Sequence, residues 1–158
     1  MDSPSLSTLL ATLVANDIEL VVVGLLAAVA QGAPVTTHDL DIVPRRSPEN
    51  IAKLVRVLVD DLDARCRGHD RILRPTAEIL AGTGPSLLQT KLGPLDVLGA
   101  IEGGRDYDVL LPSSHLIELA GHSVRVLDLA TIIELERGST RQKDQLVLPI
   151  LEETLRRR

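Results

Sequence analysis

The sequence has no Phe and no Trp, and only one Tyr, one Cys and one Met among its 158 residues. With aromatics at 1% and hydrophobic residues at 44%, the core has to be built from Leu, Val, Ile and Ala. The same lack removes the aromatic platforms on which single-stranded nucleic acids stack. A lone Cys66 excludes an internal disulfide, and no Cys or His cluster stands beside it at zinc spacing, so a reducing, cytoplasmic setting is expected. Long apolar runs are missing too. The longest, residues 20–30, contains Gly24 and falls short of the about 20 residues needed to cross a bilayer. The opening MDSPSLSTLL has no basic flank and does not resemble a signal peptide. Excess positive charge is absent: the net charge is -5 and the pI ≈ 5.3, which argues against bulk attraction to nucleic acid and leaves only local basic groups such as Arg137, Arg141, Lys143 and residues 156–158. No repeat or low-complexity stretch divides the chain, so one domain over residues 1–158 is expected, with 139–158 as a closing helix.

What is present is a dense central stretch, VVVGLLAAVAQGAPVTTHDLDIV, at residues 21–43. Residues 18–23 are β-branched and apolar and read as a buried strand, and Gly24 permits a sharp turn into a short Ala-rich helix ending at Gly32. Residues 39–43 alternate polar and apolar, which predicts a strand stopped by Pro44. Asp39 and Asp41 then leave one face, with Cα atoms about 6–7 Å apart, while Leu40 and Ile42 enter the core. His38 points to the other face and is read as structural.

Around this stretch, Ser3 and Pro4 open an amphipathic helix carrying Leu6, Leu9, Leu10 and Leu13. Ser47 and Pro48 open another with Ile51, Leu54, Val55, Leu58, Val59 and Leu62 on one side. Residues 65–74 read as a loop, 76–81 as a short helix, and 87–91 with 95–98 as a hairpin through Gly93 and Pro94, its second strand carrying Asp96. A second strand pair, 116–119 and 124–127, turns at Gly121. Asp128 is placed to cap the next helix, and Ser139 with Gln142 forms a capping box for a last helix containing Pro149.

Asp39, Asp41 and Asp96 on adjacent strands would raise one another's pKa unless neutralised, and oxygen-only ligands suit Mg²⁺ or Mn²⁺. The bland reading is a solvated acidic face of an edge strand, with Gly24 a plain turn and Arg141, Lys143 and Asp144 an ordinary charged helix face. A sugar-nucleotide glycosyltransferase is set aside, since its Asp-x-Asp sits in a loop of a larger domain.

Four motifs in order resemble those of the minimal nucleotidyltransferase superfamily, the DNA polymerase β-like fold, and in particular abortive-infection toxin-type nucleotidyltransferases. They are GLLAAVAQG at 24–32, TTHDLDIV at 36–43, LGPLDVL at 92–98 and ERGSTRQKD at 136–144. The resemblance implies an α+β fold, a mixed, mostly antiparallel sheet flanked by helices. It implies that Asp39, Asp41 and Asp96 hold Mg²⁺ or Mn²⁺ and do the catalysis, with Asp96 also activating the acceptor hydroxyl. Gly24 and Leu25 would cradle the triphosphate, with Lys91, Arg137, Arg141 and Lys143 supplying positive charge. A nucleoside monophosphate would pass from a nucleoside triphosphate to a hydroxyl of a protein, tRNA or small molecule, in a toxin-antitoxin or defence setting with a cognate partner or as a homodimer, away from membranes. Leu25 stands where the family has a second glycine, Glu136 where it has a Lys, Gln31 where it has a His and Val35 where it has a basic residue. Leu25 and Glu136 motivate the alternative: a catalytically degenerate member serving as a nucleotide-binding or protein-interaction module.

Overall fold

The computed structural model describes residues 5–119 and 121–158, so the Ser3 and Pro4 cap lies outside the described residues. The leucine spacing near the start becomes helix α1 (Leu6–Ala15), which buries Leu9, Leu10 and Leu13. Strand β1 (Leu20–Val23) is buried along its length and runs directly into α2 (Gly24–Ala30). Strand β2 (Leu40–Pro44) is one residue later than expected: Asp39 precedes it and Pro44 closes it opposite Leu20 rather than stopping it. Proline is tolerated there because an end position need not donate to the ladder.

Helix α3 (Pro48–Arg56) begins where Ser47 Oγ accepts the Asn50 N–H, and it widens into a π turn over Val57–Asp61. The stretch expected as loop holds a short strand β3 (Arg65–Cys66), followed by α4 (Ala77–Leu80), whose cap is Thr76. The hairpin is β4 (Pro85–Thr90) and β5 (Gly93–Leu98); Gly93 and Pro94 belong to the second strand and the turn is shorter than predicted. A short helix α5 (Tyr107–Leu110) with flanking 3₁₀ turns occupies a stretch without sequence periodicity. Strands β6 (Ser114–Leu119) and β7 (His122–Leu127), then α6 (Leu129–Arg137) and α7 (Gln142–Arg156), complete the chain.

One seven-stranded sheet runs β3-β4-β5-β2-β1-β7-β6. The β1–β2, β3–β4, β4–β5 and β6–β7 pairs are antiparallel, and β1–β7 and β2–β5 are parallel. The fold is therefore α+β with a mixed, mostly antiparallel sheet, as expected. Its core is aliphatic but for Tyr107; Leu40, Ile42, Leu54, Leu58, Leu88 and Leu95 are fully buried, each worth about 1.5–3 kcal/mol on removal from water. No helix among the described residues is long and apolar enough to cross a membrane.

Two predicted caps are replaced by other contacts. Asp128 precedes α6 but makes no side-chain cap; its carboxylate instead meets His115 Nδ1 at 2.7 Å, because the β6–β7 pairing brings the imidazole alongside. The Ser139–Gln142 box does not form either. Arg141 occupies the N-cap position of α7, and Ser139 Oγ donates to Asp144 Oδ2 at 2.6 Å while accepting the Arg141 N–H at 3.2 Å. Pro149 lies inside α7.

Candidate functional site

Strand register builds the centre of the site. Arg67 N–H donates to Leu87 O, Leu87 pairs with Asp96, Asp96 with Asp41, and Asp41 with Val23. Residues directly opposite one another point to the same face, so Arg67, Asp96 and Asp41 form one row across the sheet. At the end of that row the chain turns at Gly24, whose φ is +71°. A Cβ built there would collide with Asp41 Oδ2, so glycine is required both by backbone conformation and by the approach of the carboxylate.

Asp41 is electrostatically frustrated. Its carboxyl is pushed from 3.8 up to about 7, first by burial, then by the charge of Asp96 and a side-chain hydrogen bond with it, and further by Asp39. Lys143 pulls weakly the other way. Asp41 Oδ1 is buried with no hydrogen-bond partner. Asp96 is steadied from its outer side by an ion pair with the Arg67 guanidinium. Asp39 sits half-buried just before β2, its N–H donating to Thr37 Oγ1 at 3.4 Å.

Gly24 and Asp41 open into a cavity of about 820 Å³, with Val23 and Leu98 beside them. The facing wall comes from the α6–α7 junction: Leu135, Glu136, Ser139, Arg141 and Asp144. There Asp144 is 6% exposed and well satisfied. Arg141 grips it with two bonds, Nε to Oδ2 at 2.9 Å and Nη2 to Oδ1 at 3.0 Å, and Ser139 adds a third. Hydrogen bonding from Arg141 holds the Asp144 carboxyl below its usual range. Glu136 bears the opposite shift, from 4.5 up to about 7, through burial and then the charge of Asp144; its Oε2 is buried without a partner.

The predicted residues are thus sorted. Gly24, Asp41 and Arg141 line the cavity, and Asp39 and Asp96 flank Asp41 without lining it. Leu25 is half-buried in the first turn of α2 and is not part of the lining. Lys143 is exposed and reaches Asp41 only through its field. Arg137 is turned away from the cavity and paired with Glu152 of α7 at 2.6 Å, because the α6–α7 packing presents that carboxylate first. Lys91 is exposed in the β4–β5 turn, its N–H held by Leu62 O, and does not line the cavity. Among the described residues no three His, Cys, Asp or Glu side chains are already gathered around a metal-sized point. The donors nonetheless fit a hard cation: they are all oxygen, and Asp41 Oδ1 lacks any partner of its own.

Two contacts beside the site escaped the sequence reading. Arg67 lies in a stretch read as loop, 29 residues from Asp96, and no local pattern links them. Gln31, where the motif has His, is a buried stitch: its Nε2 donates to Ala27 O and Leu127 O, and its Oε1 accepts from Leu129 N–H and Arg158. It ties the end of α2 to the β7–α6 corner at the back of the cavity.

No family model matches the sequence, and no curated protein matches it significantly. Solved structures do match in shape. The lincosamide antibiotic adenylyltransferase LnuA with lincomycin bound superposes with a TM-score of 0.65 at 14% identity, covering 95% of this chain and 96% of the other. The antibiotic-resistance factor ANT(2'')-Ia gives 0.58 at 19% identity, covering 98% and 86%. A Thermotoga maritima protein described as a nucleotidyltransferase gives 0.54 at 20% identity, covering 96% and 88%. With its four motifs each contributing to one cavity and 95–98% of its length following these structures, the chain has the minimal nucleotidyltransferase fold.

Proposed function

We propose that the chain is a metal-dependent nucleotidyltransferase that moves a nucleoside monophosphate from a nucleoside triphosphate to a hydroxyl acceptor. One observation carries this reading: Asp41 lies in register with Asp96, against Gly24, at the floor of a cavity large enough for a nucleotide, and keeps a buried oxygen without a partner. In the reaction the acceptor oxygen bonds to the α-phosphorus and the bond from that phosphorus to the bridging oxygen breaks. Pyrophosphate leaves, and Asp96 takes the hydroxyl proton. Asp41, Asp96 and Asp39 are the residues that would hold Mg²⁺ or Mn²⁺, which neutralises charge on the transferring phosphate. Gly24 carries no side chain of its own, so its backbone can lie against the Asp41 carboxylate and whatever that carboxylate holds.

A small-molecule acceptor is preferred over a protein or tRNA in a toxin-antitoxin pair, because two structural neighbours are, by name, an adenylyltransferase of lincosamide antibiotics and an antibiotic-resistance factor. The test is incubation with labelled nucleoside triphosphates, Mg²⁺ or Mn²⁺ and acceptor panels that include hydroxylated antibiotics, tRNA and proteins. Acceptor-dependent release of pyrophosphate is expected. No transfer to any acceptor, together with no calorimetric metal binding, would overturn the reading.

A second reading, a nucleotide-binding module without turnover, is favoured by one feature. Arg141 is the lone Arg or Lys among the residues lining the cavity, and it is already committed to Asp144. Saturable nucleotide binding with no product would select that reading.

A further inference from the structure

We propose that Arg67 is a positioning residue for Asp96, holding one carboxylate oxygen from outside the row so that the other stays turned toward Asp41 and the cation the two would share. The inference rests on the metal-dependent reading above in one respect, that a divalent cation binds at Asp41 and Asp96.

The placement is built by the sheet. β3 is only two residues long, yet its register with β4 continues through the Arg67–Leu87 backbone bond and sets Arg67 level with Asp96, with Leu87 between them. The guanidinium therefore spans one strand and donates to Asp96 Oδ1 from the side opposite Asp41. Both partners are largely covered, with side-chain exposures of 30% for Arg67 and 18% for Asp96. A carboxylate turns readily about its last torsion, which has broad wells. A fixed donor on one oxygen removes that freedom before a ligand arrives.

Charge and geometry predict opposite outcomes. If Arg67 acted only as a nearby cation, its removal would tighten binding of a metal ion, because a repulsive charge would be gone. If it acts by orientation, its removal weakens binding, as loss of an outer partner of a ligating carboxylate does in other metal sites.

The experiment is calorimetric titration of Mn²⁺ into the full chain and into Arg67→Ala, Arg67→Lys, Asp96→Asn and the Arg67→Ala/Asp96→Asn double variant, with thermal melts to verify folding. Arg67→Ala is expected to bind Mn²⁺ about tenfold more weakly and Arg67→Lys, which keeps a charged donor, within about threefold of the parent. In the Asp96→Asn background the Arg67→Ala change should add almost nothing, a non-additivity that a merely structural role does not produce. Unchanged or tighter binding by Arg67→Ala overturns the inference and leaves the metal-dependent reading standing. A parent protein that binds no Mn²⁺ overturns both.

Discussion

Two pairs of carboxylates lie at the cavity, one on the sheet with Asp41 in the lining and one at the helical wall, and they are held in different ways. On the sheet side, Asp41 and Asp96 are fixed in register by parallel strands, and the backbone leaves neither room to retreat. Asp41 keeps an oxygen without a partner and a carboxyl pushed up to about 7. On the helical side, Asp144 has gathered three charge-assisted bonds from Arg141 and Ser139 within six residues of chain. Glu136 beside it absorbs the remaining mismatch. The helical pair is mostly reconciled by its own segment, so it behaves as framework. The strand pair has no cation in its own strands: Arg67 from outside pairs with Asp96 and not with Asp41, which feels only the field of Lys143. That contrast is what motivates placing the proposed ligand site at the strand pair.

The sharpest break of this contrast is Asp41→Asn. Removing the central carboxylate is expected to lower nucleotide transfer by on the order of 10³-fold, as loss of a principal electrostatic group does. In thermal melts of the metal-free protein at neutral pH, the same variant should be no less stable than its parent, because a buried unpaired charge is gone. A clear loss of stability would erase the distinction between the two pairs.

Asp144→Ala should behave in the reverse sense. It strips Arg141 and Ser139 of their acceptor and is expected to cost about 2 kcal/mol in urea unfolding, in the range for hydrogen bonds to charged groups. Any fall in transfer should follow the disturbed cavity wall and appear more in KM than in kcat.

The smallest effect concerns pH. The Glu136 carboxyl is raised from 4.5 to about 7 in the folded chain, so the protonated form is favoured by folding. Its contribution to stability is complete below about 4.5 and is lost as pH rises through about 7. The melting temperature of the metal-free parent should therefore fall across that window, and Glu136→Gln should reduce the fall by about 2–4 °C. Asp41, raised in the same sense, accounts for a further part. A Glu136→Gln profile identical to the parent's would show that Glu136 is not held protonated against Asp144.

The legible parts of the site are those written in local spacing. Alternation over residues 39–43 places Asp41 opposite Leu40 and Ile42, and the fold keeps both leucine and isoleucine fully buried. Gly24 after an apolar run is legible as a turn, and the turn is there with a positive φ. Ser47 and Pro48 announce α3 and do cap it. The expected caps gave way to other contacts: Asp128 met His115 across a hairpin, and Ser139 Oγ met the Asp144 carboxylate and the Arg141 N–H. The basic residues of the last motif could not be sorted along the chain, since Arg137 and Arg141 lie four apart on consecutive segments yet one serves Glu152 and the other Asp144.

By itself the sequence determined an aliphatic core, the strand-turn-helix at Gly24 and Asp41 on the strand face opposite Leu40 and Ile42, because these depend on side-chain chemistry and on periods of two and 3.6 residues. Tertiary structure alone decided that Asp96 falls level with Asp41, that Arg67 reaches over a strand to Asp96, and that Gln31 braces the back of the cavity. Strand register and helix docking bring together residues from 29 to 98 positions apart, and over such separations the order of residues carries no distance.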